Sequence, residues 1–375
     1  MKELSKAIPV NLEMTRSPQY GRLLGDFSVG DVYRHPRGIT IDRAFAVEFA
    51  TTFMEANPLY LNAEYARACG YPDLLVSPMM VLNIAISLGV QNDSEKALAN
   101  LGYEDITFPQ PVLPGDTLRG MTQILKIEPK EGRPGIVTFR TAALNQRDQP
   151  VCHFRRKIMV PPGRLGREPS KKEVRFPEPP TNRFQIPEPK GGYPTGLTGF
   201  QSYFENFTAG EIILHPNGRT VTDEHIPWTY RLMNTHPLHF DSLYATQAKL
   251  AEGKEIPVVY GGLIIAWITG LASRDTSENA LWDLGYTEGY HSQPVTSGDT
   301  LFAISRILSK GDESSHLGTV TCRLIGLKDI RPRDALQKYG AELFTLEVEK
   351  KPLGLEKIVE KVFETERKLL VKKRG

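Results

Sequence analysis

Gln110-Pro-Val-Leu-Pro-Gly-Asp-Thr-Leu118 returns in the second half of the chain as Gln293-Pro-Val-Thr-Ser-Gly-Asp-Thr-Leu301. Working back from this pair, Leu101-Gly-Tyr103 is matched by Leu284-Gly-Tyr286, and Asn57-Pro-Leu-Tyr60 by His236-Pro-Leu-His239. Further upstream, His35-Pro-x-Gly38 is echoed by His215-Pro-x-Gly218, and Phe27-Ser-Val-Gly-Asp31 by Phe207-Thr-Ala-Gly-Glu211. Self-similarity at a nearly constant spacing marks an internal repeat, here two copies of one fold in tandem. The spacing widens after Tyr244, which places a short insertion in the second copy at the polar stretch 252–255. Between the copies, Pro161, Pro162, Pro169, Pro177, Pro179, Pro180, Pro187, Pro189 and Pro194 deny the chain helix or sheet interior. The expected organisation is therefore a first repeat over 1–160, a Pro-rich linker over 161–199 and a second repeat over 200–375.

Each copy shows the same order of signals. Asp42 is a candidate N-cap, and Phe45, Phe49 and Phe53 follow it at helical spacing. Pro78 suits a first helical turn, and Met79 to Val90 is apolar nearly all round, as is Leu263 to Ala272. Such helices must be sheathed on most sides. The runs around 136–141 and 317–324 are rich in branched residues and read as strands. The predicted fold class is α+β: a long buried helix wrapped by an antiparallel sheet, twice.

Composition narrows the function. With 46 Lys+Arg against 44 Asp+Glu the formal net charge is +2, which gives no field to hold nucleic acid or an anionic membrane. No apolar run reaches the roughly 20 residues that span a bilayer, and the N-terminus lacks an unbroken apolar segment for export. The three cysteines, Cys69, Cys152 and Cys322, are scattered and odd in number, pointing to a reducing, cytoplasmic setting. Lys368, Lys372, Lys373 and Arg374 read as a solvated helix end. His153, His225, His291 and His316 form no metal-site spacing, so no metal is expected. No phosphate-loop, dinucleotide or G-x-S-x-G pattern appears, which argues against nucleotide-dependent chemistry and an ordinary serine hydrolase.

Chemistry is expected in the second copy only. Pro237 ends a helix and puts Asn234-Thr-His-Pro-Leu-His239 in a loop, where His239 can exchange protons near neutral pH. The first copy has Tyr60 and Glu55 at the places of His239 and Asn234. Tyr260-Gly261-Gly262 precedes the second long helix, where the first copy has Ser77-Pro78-Met79. Gly261 offers an N–H at a helix N-terminus for a developing oxyanion, and proline has none to offer. His35 and His215 recur in both copies and read as structural residues of a turn. Asp116 and Asp299 read as turn residues bonding local backbone.

These motifs resemble the MaoC-like dehydratases of the hotdog fold, whose hydratase motif runs Asp-x-Asn-Pro-(Leu/Ile)-His. The second half, notably Asn234-Thr-x-x-x-His239 and Val259-Tyr-Gly-Gly-x-Ile-Ile265, is similar to the tandem branch of mesaconyl-CoA hydratases, also called β-methylmalyl-CoA dehydratases or 2-methylfumaryl-CoA hydratases. The resemblance implies a double hotdog, catalytically degenerate in its first repeat. It implies reversible addition of water to a 2-enoyl-CoA thioester, with mesaconyl-CoA as substrate and no cofactor. His239 would be the acid–base residue, Asn234 would orient water in place of the usual Asp, and Gly261 would hold the enolate oxygen. Gly262, Arg231 and Arg274 are the candidates for substrate binding, the two arginines for a free acyl carboxylate. A homo-oligomer of tandem chains is also implied. Two other readings stay open: an (R)-specific hydratase acting on itaconyl-CoA or crotonyl-CoA, and a non-catalytic acyl-CoA-binding subunit.

Overall fold

A computed structural model describes residues 11–170, 174–179, 183–248 and 256–374. The insertion expected at 252–255 lies outside them. The first copy runs β1 (Val32–Thr40), α1 (Arg43–Thr52), α2 (Ala63–Ala68), α3 (Pro78–Gly89), β2 (Ala99–Thr107), β3 (Thr117–Lys130), β4 (Arg133–Leu144) and β5 (Pro150–Val160). The second runs β6 (Ile212–Thr220), α4 (Trp228–Arg231), α5 (Ser242–Ala248), α6 (Gly261–Thr276), β7 (Ala280–His291), β8 (Thr300–Asp312) and β9 (Leu317–Lys328). It adds α7 (Pro332–Tyr339) and α8 (Glu347–Lys350) before closing with β10 (Lys361–Lys372).

All ten strands form one antiparallel sheet in the order β1-β3-β4-β5-β2-β7-β10-β9-β8-β6, which is two five-stranded halves joined at β2 and β7. The paired Gly-Asp-Thr-Leu segments open β3 and β8. Asp116 accepts from Leu113 N at 2.9 Å and Asp299 from Thr296 N at 2.8 Å, the local turns expected of them.

The long helices sit where their composition demands. Asp42 caps α1 through Phe45 N, and eleven of the twelve residues of α3 are buried. Helix α3 packs on β3 and β4, and α6 on β8 and β6. The helices also cross each other, so the main core is shared between the copies rather than built twice. Glycine lets α6 approach the first copy closely, at the end of α1 and at the crossing with α3. A Cβ on Gly270 would lie 1.8 Å from the Phe53 carbonyl oxygen, and one on Gly262 would lie 2.0 Å from Asn83 Oδ1. Asn83 uses the approach, donating from Nδ2 to Gly262 O at 3.0 Å.

Two expectations need correction. His35 and His215 do not sit in turns but inside β1 and β6, where the register shifts at a bulge. Both are buried: His35 bonds Thr122 at 2.9 Å, and His215 bonds Asp275 at 2.8 Å and Ser305 at 2.9 Å. The basic C-terminus is not a helix end. Lys368 and Lys372 belong to β10, an interior strand, and Lys372 is buried with Nζ donating to Pro194 O at 2.7 Å.

Candidate active site

The loop after α4 is built by local hydrogen bonds. Asn234 N donates to Thr229 O at 3.1 Å, and Asn234 Oδ1 accepts from His236 N at 2.9 Å. Pro237 then opens a short 3-10 turn ending at His239. His236 acts as the carboxamide of Asn57 does in the first copy. Its Nδ1 accepts from Leu238 N at 3.2 Å and its Nε2 donates to Ala97 O at 3.0 Å, tying the loop to the other copy. With both nitrogens engaged, His236 is a bridge.

His239 is different. Its Nδ1 lies 2.8 Å from Val258 O. A carbonyl oxygen can only accept, so Nδ1 carries the proton and Nε2 is left with its lone pair. At the matching place Tyr60 has no such nitrogen.

Gly261 begins α6, and the preceding Tyr260 provides no side-chain cap. In the first copy the helix start is closed twice over: Pro78 lacks an N–H, and Ser77 Oγ takes Met79 N at 3.3 Å. The N-terminus of α6 therefore presents a free N–H together with the positive end of a 16-residue helix.

His239, Asn234 and Gly261 line one cavity of about 310 Å³ at the junction of the copies. Its far wall is the first copy's, with Tyr103, Asn100 and Arg156. The other sequence candidates lie elsewhere. Gly262 faces Asn83 and serves the helix crossing. Arg231 is on the surface, paired with Glu48 at 2.7 Å and stacked on Trp228. Arg274 is exposed beside Asp275, in a separate shallow groove with Phe207 and Pro216. Arg231 stands one helical turn before Asn234 and Arg274 near the end of the long apolar helix, but neither lines the cavity that holds His239.

Two residues of this cavity escaped the sequence reading. His291 ends β7, and its Nε2 is buried without a partner. Its ring meets Tyr103 edge-on at 5.7 Å, as Phe108 meets Tyr286 at 6.4 Å in the mirrored place. The repeat that exposed His239 also aligns His291 with Phe108, so the signal was present. A Cβ on residue 261 would fall 2.6 Å from His291 Nε2, which is a second reason for glycine there. Replacing His291 with Phe should lower kcat/KM by about tenfold while leaving the melting temperature near wild type, because the first copy already packs Phe at this place. A drop in melting temperature that matches the loss of rate would mean the ring is only structural. The second residue is Arg156, 4 % exposed.

Burial dominates the electrostatics. It pushes the imidazole of His239 down to about 3, with His236 and His291 adding to the effect, and that of His291 down to about 4. His153, buried beside Arg140, is also pushed down to about 4. All three are neutral at physiological pH, so His239 is poised as a base. Above the ordinary value of 6.5 these groups are neutral folded or unfolded and do not alter stability. As pH falls below it, the unfolded chain takes protons that the folded chain refuses, so stability is lost between about pH 6.5 and 4. A thermal melt at pH 5 should therefore sit below one at pH 7.5, by on the order of 1 kcal/mol for each buried imidazole. A flat profile across that window would contradict the burial argument.

The sequence profile described as mesaconyl-CoA hydratase matches residues 5–173 and 198–342. The chain is 28% identical over 328 residues to the mesaconyl-CoA hydratase of Cereibacter sphaeroides, covering 82% of this chain and 90% of that protein. It is 26% identical over 349 residues to the β-methylmalyl-CoA dehydratase of Chloroflexus aurantiacus, covering 87% and 95%. Among solved structures, a MaoC domain protein dehydratase of Chloroflexus aurantiacus superposes with a TM-score of 0.80 at 24% identity, covering 96% of this chain and 100% of that one. A Mycobacterium tuberculosis protein described as a double hotdog fold superposes with a TM-score of 0.69 at 20% identity, covering 94% and 98%. The fold is thus a double hotdog, and the chain belongs to the mesaconyl-CoA hydratase family of hydro-lyases.

Proposed function

We propose that the protein adds water reversibly across the double bond of mesaconyl-CoA to give β-methylmalyl-CoA, with its chemistry in the second copy. The observation that carries this reading is the pairing of a lone-pair nitrogen on His239 with an uncapped helix N-terminus at Gly261 around one cavity. His239 Nε2 takes a proton from water held by the Asn234 carboxamide, and the water oxygen bonds to the β-carbon. The π electrons move to the thioester oxygen, which Gly261 N–H and the helix dipole stabilise as an enolate. The imidazolium then returns its proton to the α-carbon, so one residue serves as base and acid. Asn234 cannot take a proton, which favours this single-base cycle over a two-carboxylate scheme. In reverse, His239 removes the α-proton and hydroxide leaves as water.

The direct test is to incubate the protein with mesaconyl-CoA, following loss of enoyl-thioester absorbance and product mass. Gain of one water supports the reading. Hydration of crotonyl-CoA or itaconyl-CoA but not of mesaconyl-CoA would keep the chemistry and discard the substrate. Binding of CoA esters without turnover would favour a non-catalytic subunit. Because burial holds His239 in its neutral form, the acid limb of the kcat profile should fall well below pH 6.5. A limb at 6.5 or above would place the catalytic base elsewhere.

A further inference from the structure

The geometry points to Arg156, contributed by the first copy, as the anchor for the free carboxylate of the acyl group, held open for that purpose by Asn100. This inference rests on the hydratase reading and adds to it the group that selects a dicarboxylic acyl chain.

Arg156 is buried in β5 and lines the cavity that holds His239 and Gly261. Its Nη2 is engaged on one side, by Asp93 at 3.2 Å and Ser94 Oγ at 3.0 Å. Its Nε is buried with no hydrogen-bond partner. A guanidinium offers five N–H donors in a planar fork suited to a carboxylate, and a buried donor left unpaired costs its full desolvation. The fork is therefore only partly filled.

The internal repeat supplies the control. In β5, Arg156 stands opposite Tyr103 of β2; in β10, Arg367 stands opposite Tyr286 of β7. The two arginines occupy equivalent places, Arg156 of the first copy beside the site that bears His239 and Arg367 of the second copy beside the site that bears Tyr60. Arg367 is closed: its Nε and Nη2 both donate to Asp283 Oδ2, at 3.0 and 2.7 Å. Asp283 lies opposite Leu369, and the residue at the same place in the other half, opposite Ile158, is Asn100. The local structure is otherwise kept. Asp283 Oδ1 accepts from Gly285 N at 3.1 Å, and Asn100 Oδ1 accepts from Gly102 N at 3.2 Å. One carboxylate has become a carboxamide, and Arg156, held by Asp93 at Nη2 alone, lacks the second carboxylate that would close its Nε as Asp283 closes that of Arg367. Where the first copy's site is silent, Asp283 fills the fork; where chemistry is placed, the fork is left for a carboxylate that arrives with the substrate. In mesaconyl-CoA that carboxylate hangs from the carbon that receives the hydroxyl. Pairing it with Arg156 would orient that carbon and withdraw electrons from it.

The experiment compares mesaconyl-CoA with tiglyl-CoA, in which a methyl group replaces that carboxylate. Asn100→Asp should install the closed pair of the other half without endangering the fold, and Arg156→Gln should remove the anchor. Both should lower kcat/KM for mesaconyl-CoA by about 100-fold and for tiglyl-CoA by no more than about threefold. Arg156→Lys, which keeps the charge but not the fork, should recover part of the mesaconyl-CoA activity. Equal losses on both esters in Asn100→Asp, with an unchanged melting temperature, would overturn the anchor and leave the hydratase reading standing. Wild-type protein that hydrates tiglyl-CoA as efficiently as mesaconyl-CoA would overturn the anchor and leave the hydratase reading standing. Wild-type protein inert toward both esters would overturn mesaconyl-CoA as the substrate, and the anchor with it.

Discussion

Replacing His239 with Ala lowers kcat for mesaconyl-CoA hydration by about 100-fold or more, while Tyr60→Phe leaves it within about twofold of wild type. The size follows from the loss of the only general acid–base group that the proposed cycle uses. The residual rate would come from the helix N-terminus at Gly261, which still polarises the thioester. The fold should survive, because His239 is half-buried and its one hydrogen bond, to Val258 O, lies at the cavity edge. Steady-state rates on both variants, with circular dichroism to confirm folding, make the check. Equal effects at positions 60 and 239 would show that chemistry is not confined to the second copy.

Gly270→Ala destabilises the protein by about 2 kcal/mol net, against the usual direction of such a change. In an exposed helix, alanine gains about 1 kcal/mol over glycine. At Gly270 the new methyl would meet the Phe53 carbonyl oxygen at 1.8 Å, which forces α6 away from the first copy and costs about 3 kcal/mol as overpacking. Gly262→Ala meets side chains rather than backbone, Asn83 Oδ1 at 2.0 Å and the Tyr260 ring at 2.6 Å, so its cost should be the smaller even though Asn83 must give up its bond to Gly262 O. Urea midpoints rank the two variants. Stabilisation by Gly270→Ala would mean that the helices cross at a greater distance than described.

The repeat made the fold legible, since identical turn and strand motifs in both halves leave little room for another architecture. It also made His239 and Gly261 legible, because each is lost in the copy that keeps its surroundings. Arg156 was hidden for a topological reason. It lies in the first copy, far along the chain from His239, and only the β2–β7 pairing brings its strand against the second copy's loop. One helical turn from Asn234 for Arg231, and a place near the end of the long apolar helix for Arg274, fix neither the direction of a side chain nor its partner. The C-terminal lysines misled because β10 mixes them with apolar residues, and a charged residue in an interior strand is legible only once its buried partners are known. His291 stands where the first copy has Phe108, a contrast that the spacing of histidines along the chain does not carry.

The join between β2 and β7 has a consequence for how such a protein can diverge. Were the second copy to pair with another of its own kind, each cavity would receive Arg367 already bound to Asp283, and every substitution would appear on both sides of the axis. Covalent fusion breaks that constraint. One copy can give up its histidine, fill its own site and change a single aspartate to asparagine, all to the benefit of the cavity next door. With chemistry confined to the second copy, as proposed, the tandem chain would be a division of labour that a symmetric dimer could not encode.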